Sequence, residues 1–193
     1  MLSVLKRKGI NHIKYNKKIY LLFSTIFLSF AIVGGVVAMS SANEQLFAQM
    51  SVFFSVYSLF GTDNLAVFVD AVLRNMRFLF LIFLCGFFPI TTPLIFVLLG
   101  LFGFQFGFAT MFFMDGFGGG GIVLTILLVW LPRLMVLAIV FHFAQAVVRH
   151  VRRKLYVNHV RDFMFSSSLL VFCGMVEAFV FPVMLRIVTG FFL

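Results

Sequence analysis

Cys173-Gly174-Met175-Val176-Glu177-Ala178-Phe179-Val180-Phe181-Pro182 is the stretch on which the fold turns. It lies inside an apolar run from Phe163 to Val188, longer than the ~20 residues a helix needs to cross a bilayer. Glu177 is therefore placed near the middle of a membrane span, where a carboxylate costs at least ~2.5 kcal/mol unless it is protonated or held by a partner. Two answers to that demand stay open at this point: an acid kept neutral in a helix interface, or a buried pairing.

The rest of the composition agrees with a membrane setting. Of 193 residues, 63% are hydrophobic and only 11% charged, and the mean hydropathy of +1.14 exceeds what a water-soluble core requires. The apolar runs are continuous rather than alternating, which argues against a barrel and for an all-α, polytopic transmembrane helix bundle. The 30 phenylalanines suit lipid-facing and inter-helix surfaces. A net charge of +9 invites a nucleic-acid reading, but the basic residues gather at Lys6 to Lys18 and Arg149 to Arg161, each beside an apolar run. Orientation in the lipid bilayer accounts for them, and no nucleic acid is expected as a partner. Cys85 and Cys173 fall inside apolar segments, where thiols pack as small hydrophobes, so neither is expected in a disulfide.

Working outward gives about five spans in one integral membrane domain covering residues 1–193. Lys6, Arg7, Lys8, Lys14, Lys17 and Lys18 precede the first span (19–39) with no acid among them, which makes the N-terminus cytoplasmic. That apolar core is too long for the ~7 to 15 residues of a cleaved signal peptide. Gly34 and Gly35 within it suit close helix contact. Residues 40–77 are predicted to lie on the outer face as amphipathic interfacial helices: Leu46, Met50, Phe53, Tyr57 and Phe60 recur at helical spacing, and so do Leu65, Phe68, Val69, Val72 and Met76. Asp70, Arg74 and Arg77 stand on the opposite side, the first two as an i,i+4 pair. Phe53, Phe54 and Tyr57 are the candidate partner contacts on this segment.

Spans 74–88 and 93–114 follow, separated by Pro89-Ile90-Thr91-Thr92-Pro93, which predicts a tight hairpin or broken helix whose threonines satisfy freed backbone groups. Gly100, Gly103 and Gly107, around Gln105, form a small-residue face. Asp115 to Gly121 reads as a flexible outer loop; a phosphate cradle would need a strand before it and a nucleotide-binding helix after it. The fourth span (122–148) returns to the basic, cytoplasmic stretch Arg149 to Arg161, and the fifth (163–188) leaves the C-terminus outside, with Arg186 snorkelling toward the far headgroups.

No catalytic constellation emerges, so the chain is not expected to be an enzyme, to hold a metal or to carry a cofactor. His12, His150 and His159 belong to basic stretches, and His142 is expected to be a packing residue. By helical rise Arg133 and Glu177 fall at similar depth, which predicts a direct pair between spans four and five; Gln105 is the third intramembrane polar candidate.

Read end to end, the chain resembles the stage II sporulation protein M family of bacterial multi-spanning membrane proteins. Glu177-Ala178-Phe179 followed by Pro182 is similar to that family's Glu-Ala-Phe-x-x-Pro ending. Leu73-Arg74-Asn75-Met76-Arg77, Gly103 to Gly107, and Leu131-Pro132 are similar to further stretches of it. The chain departs after Pro132, where Arg133 and then Leu134 to Leu137 stand in place of the family's His and Glu. The resemblance implies a non-enzymatic scaffold in the cell membrane that anchors or assembles cell-wall-remodelling partners during sporulation and engulfment, working with the peptidoglycan-degrading stage II sporulation proteins D and P. A homo-oligomer is compatible with it. The rival reading is a small permease-type subunit of a membrane transporter, in which Arg133, Glu177 and Gln105 line a path and the segment Pro89 to Pro93 supplies unwound backbone.

Overall fold

The computed structural model of the chain describes residues 2–41, 64–153 and 156–192, and every described element is helical. In order these are α1 (Leu2–Ser41), α2 (Asn64–Cys85), a short 3-10 turn (Pro89–Thr91), α3 (Thr92–Leu124), a π-helical segment (Thr125–Trp130), α4 (Leu131–Arg153) and α5 (Tyr156–Phe192). Helices are the only spanning solution available to long unalternating apolar runs, because each backbone donor finds its acceptor within its own segment. Hydroxyls inside α1 follow the same logic: Thr25 Oγ1 donates to the Leu21 carbonyl and Ser29 Oγ to the Thr25 carbonyl, both at 2.9 Å.

Among the described residues, four helices are long and apolar enough to cross a membrane, over Lys17–Ser40, Thr92–Gly116, Leu131–Val151 and His159–Phe179. The twenty-two residues of α2 rise roughly 33 Å, also enough for a span, but Asp70, Arg74 and Arg77 interrupt its apolar sequence. The surface segment and second span expected on either side of Arg74 are one continuous helix from Asn64, ending at Cys85 rather than at Phe88.

The turn after α2 is closed by a side chain. Thr91 Oγ1 lies 2.7 Å from the Cys85 carbonyl, which Pro89, lacking an N–H, cannot serve, and 2.6 Å from the Phe88 carbonyl, which also accepts from the Thr91 N–H at 3.2 Å. Thr91→Ala is expected to lower stability by about 1 kcal/mol in detergent unfolding, while Thr91→Ser keeps most of it.

The stretch Asp115 to Gly121, expected as a flexible loop, is helical and forms the corner of a hairpin. A straight helix would carry Thr110 and Trp130 roughly 30 Å apart. Instead Trp130 Nε1 donates to Thr110 Oγ1 at 3.3 Å, and Thr125 Oγ1 reaches the Thr110 carbonyl at 3.5 Å. The chain therefore doubles back between Phe113 and Gly121, and a Cβ on Gly121 would run into the Phe113 carbonyl. The π-helical segment completes the return just before Pro132, whose missing N–H already breaks regular α bonding.

Two pairs of helices and a linking one make up the bundle: α1 packs chiefly on α3, α2 chiefly on α5, and α4 touches α1, α2 and α5. The glycines of α1 and α3 face each other. A Cβ on Gly34 would meet the Phe104 carbonyl, one on Gly103 the Phe27 carbonyl, and one on Gly107 the Ala31 carbonyl, so main chain lies against main chain along this seam. Either side of it the core is aromatic and branched. Phe23, Phe27, Leu79, Ile82, Phe102 and Phe143 are buried, with the Phe27 ring 6.0 Å from Phe141 and the Phe78 ring 5.5 Å from Phe102.

Candidate functional site: a charge cluster between α2, α4 and α5

On α2 the buried positions Ala71, Asn75, Leu79, Ile82 and Cys85 repeat every three or four residues and fix one face against the bundle. Arg74 borders that face. Its counterpart on α5 is the stripe Leu170, Gly174 and Ala178, all buried. A Cβ on Gly174 would fall 2.6 Å from Val72 Cγ2, so this glycine lets α2 and α5 close to a distance at which side chains one turn further on can meet.

Those side chains are Arg74 and Glu177. Arg74 Nη2 donates to Glu177 Oε1 at 2.5 Å, and Nη1 donates to Asp70 Oδ2 at 3.2 Å, so one guanidinium joins a carboxylate of its own helix to one 103 residues away. The Glu177 side chain is only 18% exposed against 76% for Asp70, which makes the inter-helix arm the more sheltered of the two. Charge-assisted hydrogen bonds of this kind are short and strong, and the planar fork of arginine suits two acceptors at once.

Arg133 lies on the inward face of α4, in line with buried Val129, Val136 and Val140. The direct bond to Glu177 expected from helical rise is not the one formed: Arg74 takes that oxygen, because α2 rather than α4 lies along the Gly174 stripe. Arg133 instead places its guanidinium carbon 5.4 Å from the centre of the Phe102 ring. It remains within electrostatic reach of both Arg74 and Glu177, and its Nη1 is buried without a hydrogen-bond partner. Gln105 is exposed on α3 and takes no part in the cluster. Phe53, Phe54 and Tyr57 lie outside the described residues, and so does the side chain of Arg186.

A second polar group, missed by the reading of the sequence, closes the opposite end of the bundle. His159 is 1% exposed, stacked on Phe83 with ring centres 4.8 Å apart and flanked by Phe143 at 5.8 Å, and its Nε2–H donates to the Phe83 carbonyl at 3.0 Å. His150, also buried, brings Nε2 to 2.8 Å from Asp162 Oδ2, tying α4 to α5. The signal for this group was Asp162, the lone acid in a basic stretch. His142, expected to be packed, is exposed on α4. Among the described residues no group of three or more His, Cys, Asp or Glu is placed to hold a metal ion, and Cys85 and Cys173 are free thiols.

What this arrangement does chemically is hold helices together: every charged contact named runs between side chains of the bundle, and two surface grooves among the described residues, about 340 Å³ around Ala31, Gly35 and Met111 and about 380 Å³ around Leu65, Phe68, Met175 and Phe179, are apolar. No family model matches the chain, and neither does any curated protein or solved structure.

Proposed function

We propose that the chain is a non-enzymatic membrane scaffold of five spans, similar in kind to the stage II sporulation protein M family, that anchors or assembles cell-wall-remodelling partners at the outer face of a bacterial cell membrane. The observation that carries this reading is the Arg74–Glu177 bond, which uses an acid only 18% exposed, the most sheltered among the described residues, to fix α2 on α5. An acid committed to packing suits a rigid platform, whereas a path for a substrate would need Gln105 to join Glu177 and Arg133, and Gln105 faces away from them.

The fifth span is α2. It lies along α5 from end to end, with Leu65 and Phe68 beside Met175 and Phe179 at one limit and Phe83 beside His159 at the other. Two of its three charges answer each other or Glu177. The basic ends also agree on one side, since Tyr20, next to Lys17 and Lys18, lies within electrostatic reach of Arg149. By the positive-inside bias this side is cytoplasmic, and the glycine corner at Gly119 is outside.

Labelling checks the topology. An impermeant thiol reagent applied to intact cells is expected to modify Gly119→Cys and to spare Asn158→Cys; the reverse pattern would overturn the five-span arrangement. The scaffold role is checked by co-purification in mild detergent: peptidoglycan hydrolases are expected to accompany the wild-type chain and to be lost when Phe53, Phe54 and Tyr57 are all replaced by alanine. Recovery of an ATPase and a substrate-binding protein in their place would instead identify a permease subunit.

A further inference from the structure

The side of α2 turned away from the bundle carries a charge that nothing among the described residues answers. Asp70, Leu73, Arg77, Phe80 and Leu84 are all exposed and follow one another at alternating steps of three and four residues, the spacing of a helix seam that receives a second helix, with the Phe80 ring at its edge also touching Phe163 of α5 at 6.5 Å. Arg77 stands at the centre of that seam. Among the described residues it makes no hydrogen bond or ion pair, and its neighbours Leu73, Phe80, Leu81 and Leu84 are large and apolar.

Helical rise puts Arg77 roughly 12 Å from the end of α2 at Cys85 and roughly 20 Å from its start at Asn64. Helical side chains lean toward the N-terminus of their own helix, so Arg77 leans away from the nearer surface and toward the more distant one. Snorkelling to headgroups is thereby opposed by its own geometry. Among the described residues around the middle of the bundle, the guanidiniums of Arg74, Arg77 and Arg133 stand with the carboxylates of Asp70 and Glu177, and both carboxylates are engaged by Arg74. Arg77 is left without a described carboxylate partner, on the side of α2 away from the bundle.

A second copy of this chain is a poor source. Copies in one membrane share one orientation, so two α2 seams meeting at equal depth would set Arg77 against Arg77 and Asp70 against Asp70. A helix from another protein is free of that restriction. We infer that the Asp70–Leu84 seam of α2 is the docking surface for a transmembrane helix of a different protein that carries a carboxylate at the depth of Arg77. The inference rests on α2 crossing the bilayer, and it locates a partner contact within the membrane, separate from the outer segment.

The test uses the full-length chain in liposomes and synthetic leucine-rich transmembrane peptides, followed by energy transfer between labelled protein and peptide. A peptide with one glutamate at the depth of Arg77 is expected to bind at least tenfold tighter than its leucine or glutamine counterparts. Moving the glutamate two turns along the peptide should remove the advantage, as should Arg77→Leu, while Arg77→Lys should keep part of it. Equal binding of glutamate and leucine peptides to the wild-type chain overturns the proposal, and because that comparison involves no variant it stands even if Arg77→Leu folds poorly. Self-association of the wild-type chain that Arg77→Leu abolishes would overturn it in favour of a second copy. A cysteine at Leu81 that reacts with an impermeant reagent sinks the proposal together with the five-span reading; an unreactive one, with no glutamate preference, sinks the proposal alone and leaves the scaffold role to the co-purification experiment.

Discussion

Arg74→Met and Glu177→Leu are each expected to destabilise the bundle by about 3 kcal/mol or more, and the two together by clearly less than the total of the single changes, because removing one partner leaves the other as an uncompensated charge in an apolar setting. Arg74 is bonded to two acids, so its loss strands Glu177 more severely than Asp70, which is largely exposed. The double variant replaces an ionic contact with two apolar side chains between α2 and α5, an exchange that is often neutral. Arg133→Met provides the contrast. It removes a guanidinium whose Nη1 has no partner and whose named contact is the Phe102 ring, so the expected change is within about 1 kcal/mol and can be of either sign. Equilibrium unfolding in detergent of the wild type, the three single variants, and Arg74→Met and Arg133→Met each combined with Glu177→Leu separates these outcomes. Additive effects of Arg74 and Glu177, or coupling of Glu177 to Arg133 instead, would show that the bond is not the one described.

The largest effect is expected at the seam between α1 and α3. Gly107→Leu places a Cβ inside the Ala31 carbonyl, and Gly103→Val does the same at Phe27. Overpacking commonly costs ~1 to 3 kcal/mol when side chains can yield, but here the obstacle is main chain and cannot rotate away, so the cost is expected to exceed that range and to separate the two helices. Gly119→Ala is the control. Nothing lies within 4 Å of a Cβ there, and alanine is the better helix former, so stability should hold or rise. Thermal unfolding in detergent, together with cross-linking between cysteines on α1 and α3, measures both. A Gly107→Leu protein with unchanged cross-linking would refute the close approach.

Hydropathy made the helical class legible before any coordinate, because a chain with 63% hydrophobic residues in long unalternating runs has few other ways to satisfy its backbone. The glycines of both seam helices were also legible one helix at a time. Their mutual contact was not, since nothing local in Gly34 or Gly107 encodes a partner seventy residues away. The partner of Glu177 was misassigned for a related reason. Depth along two antiparallel helices selected Arg133, while Arg74 had been accounted for by Asp70 within an amphipathic surface helix; the i,i+4 pair is present, but the second arm of the guanidinium was left out. Charge clustering similarly hid His150 and His159. A basic stretch reads as solvated loop, yet α4 and α5 continue through part of it and bury both imidazoles against aromatic rings.

The order in which the chain is made gives the Arg74–Glu177 bond a further meaning. The carboxylate lies 103 residues after the guanidinium, so at ~5 to 20 residues per second a ribosome leaves α2 without its inter-helix counter-charge for roughly 5 to 20 s. Throughout that interval α3 and α4 are still emerging, and Arg74 has only Asp70 of its own helix to answer it. The fastening of α2 to α5 thus waits on the last described helix, and a chain cut short before Glu177 would leave Arg74 with Asp70 alone.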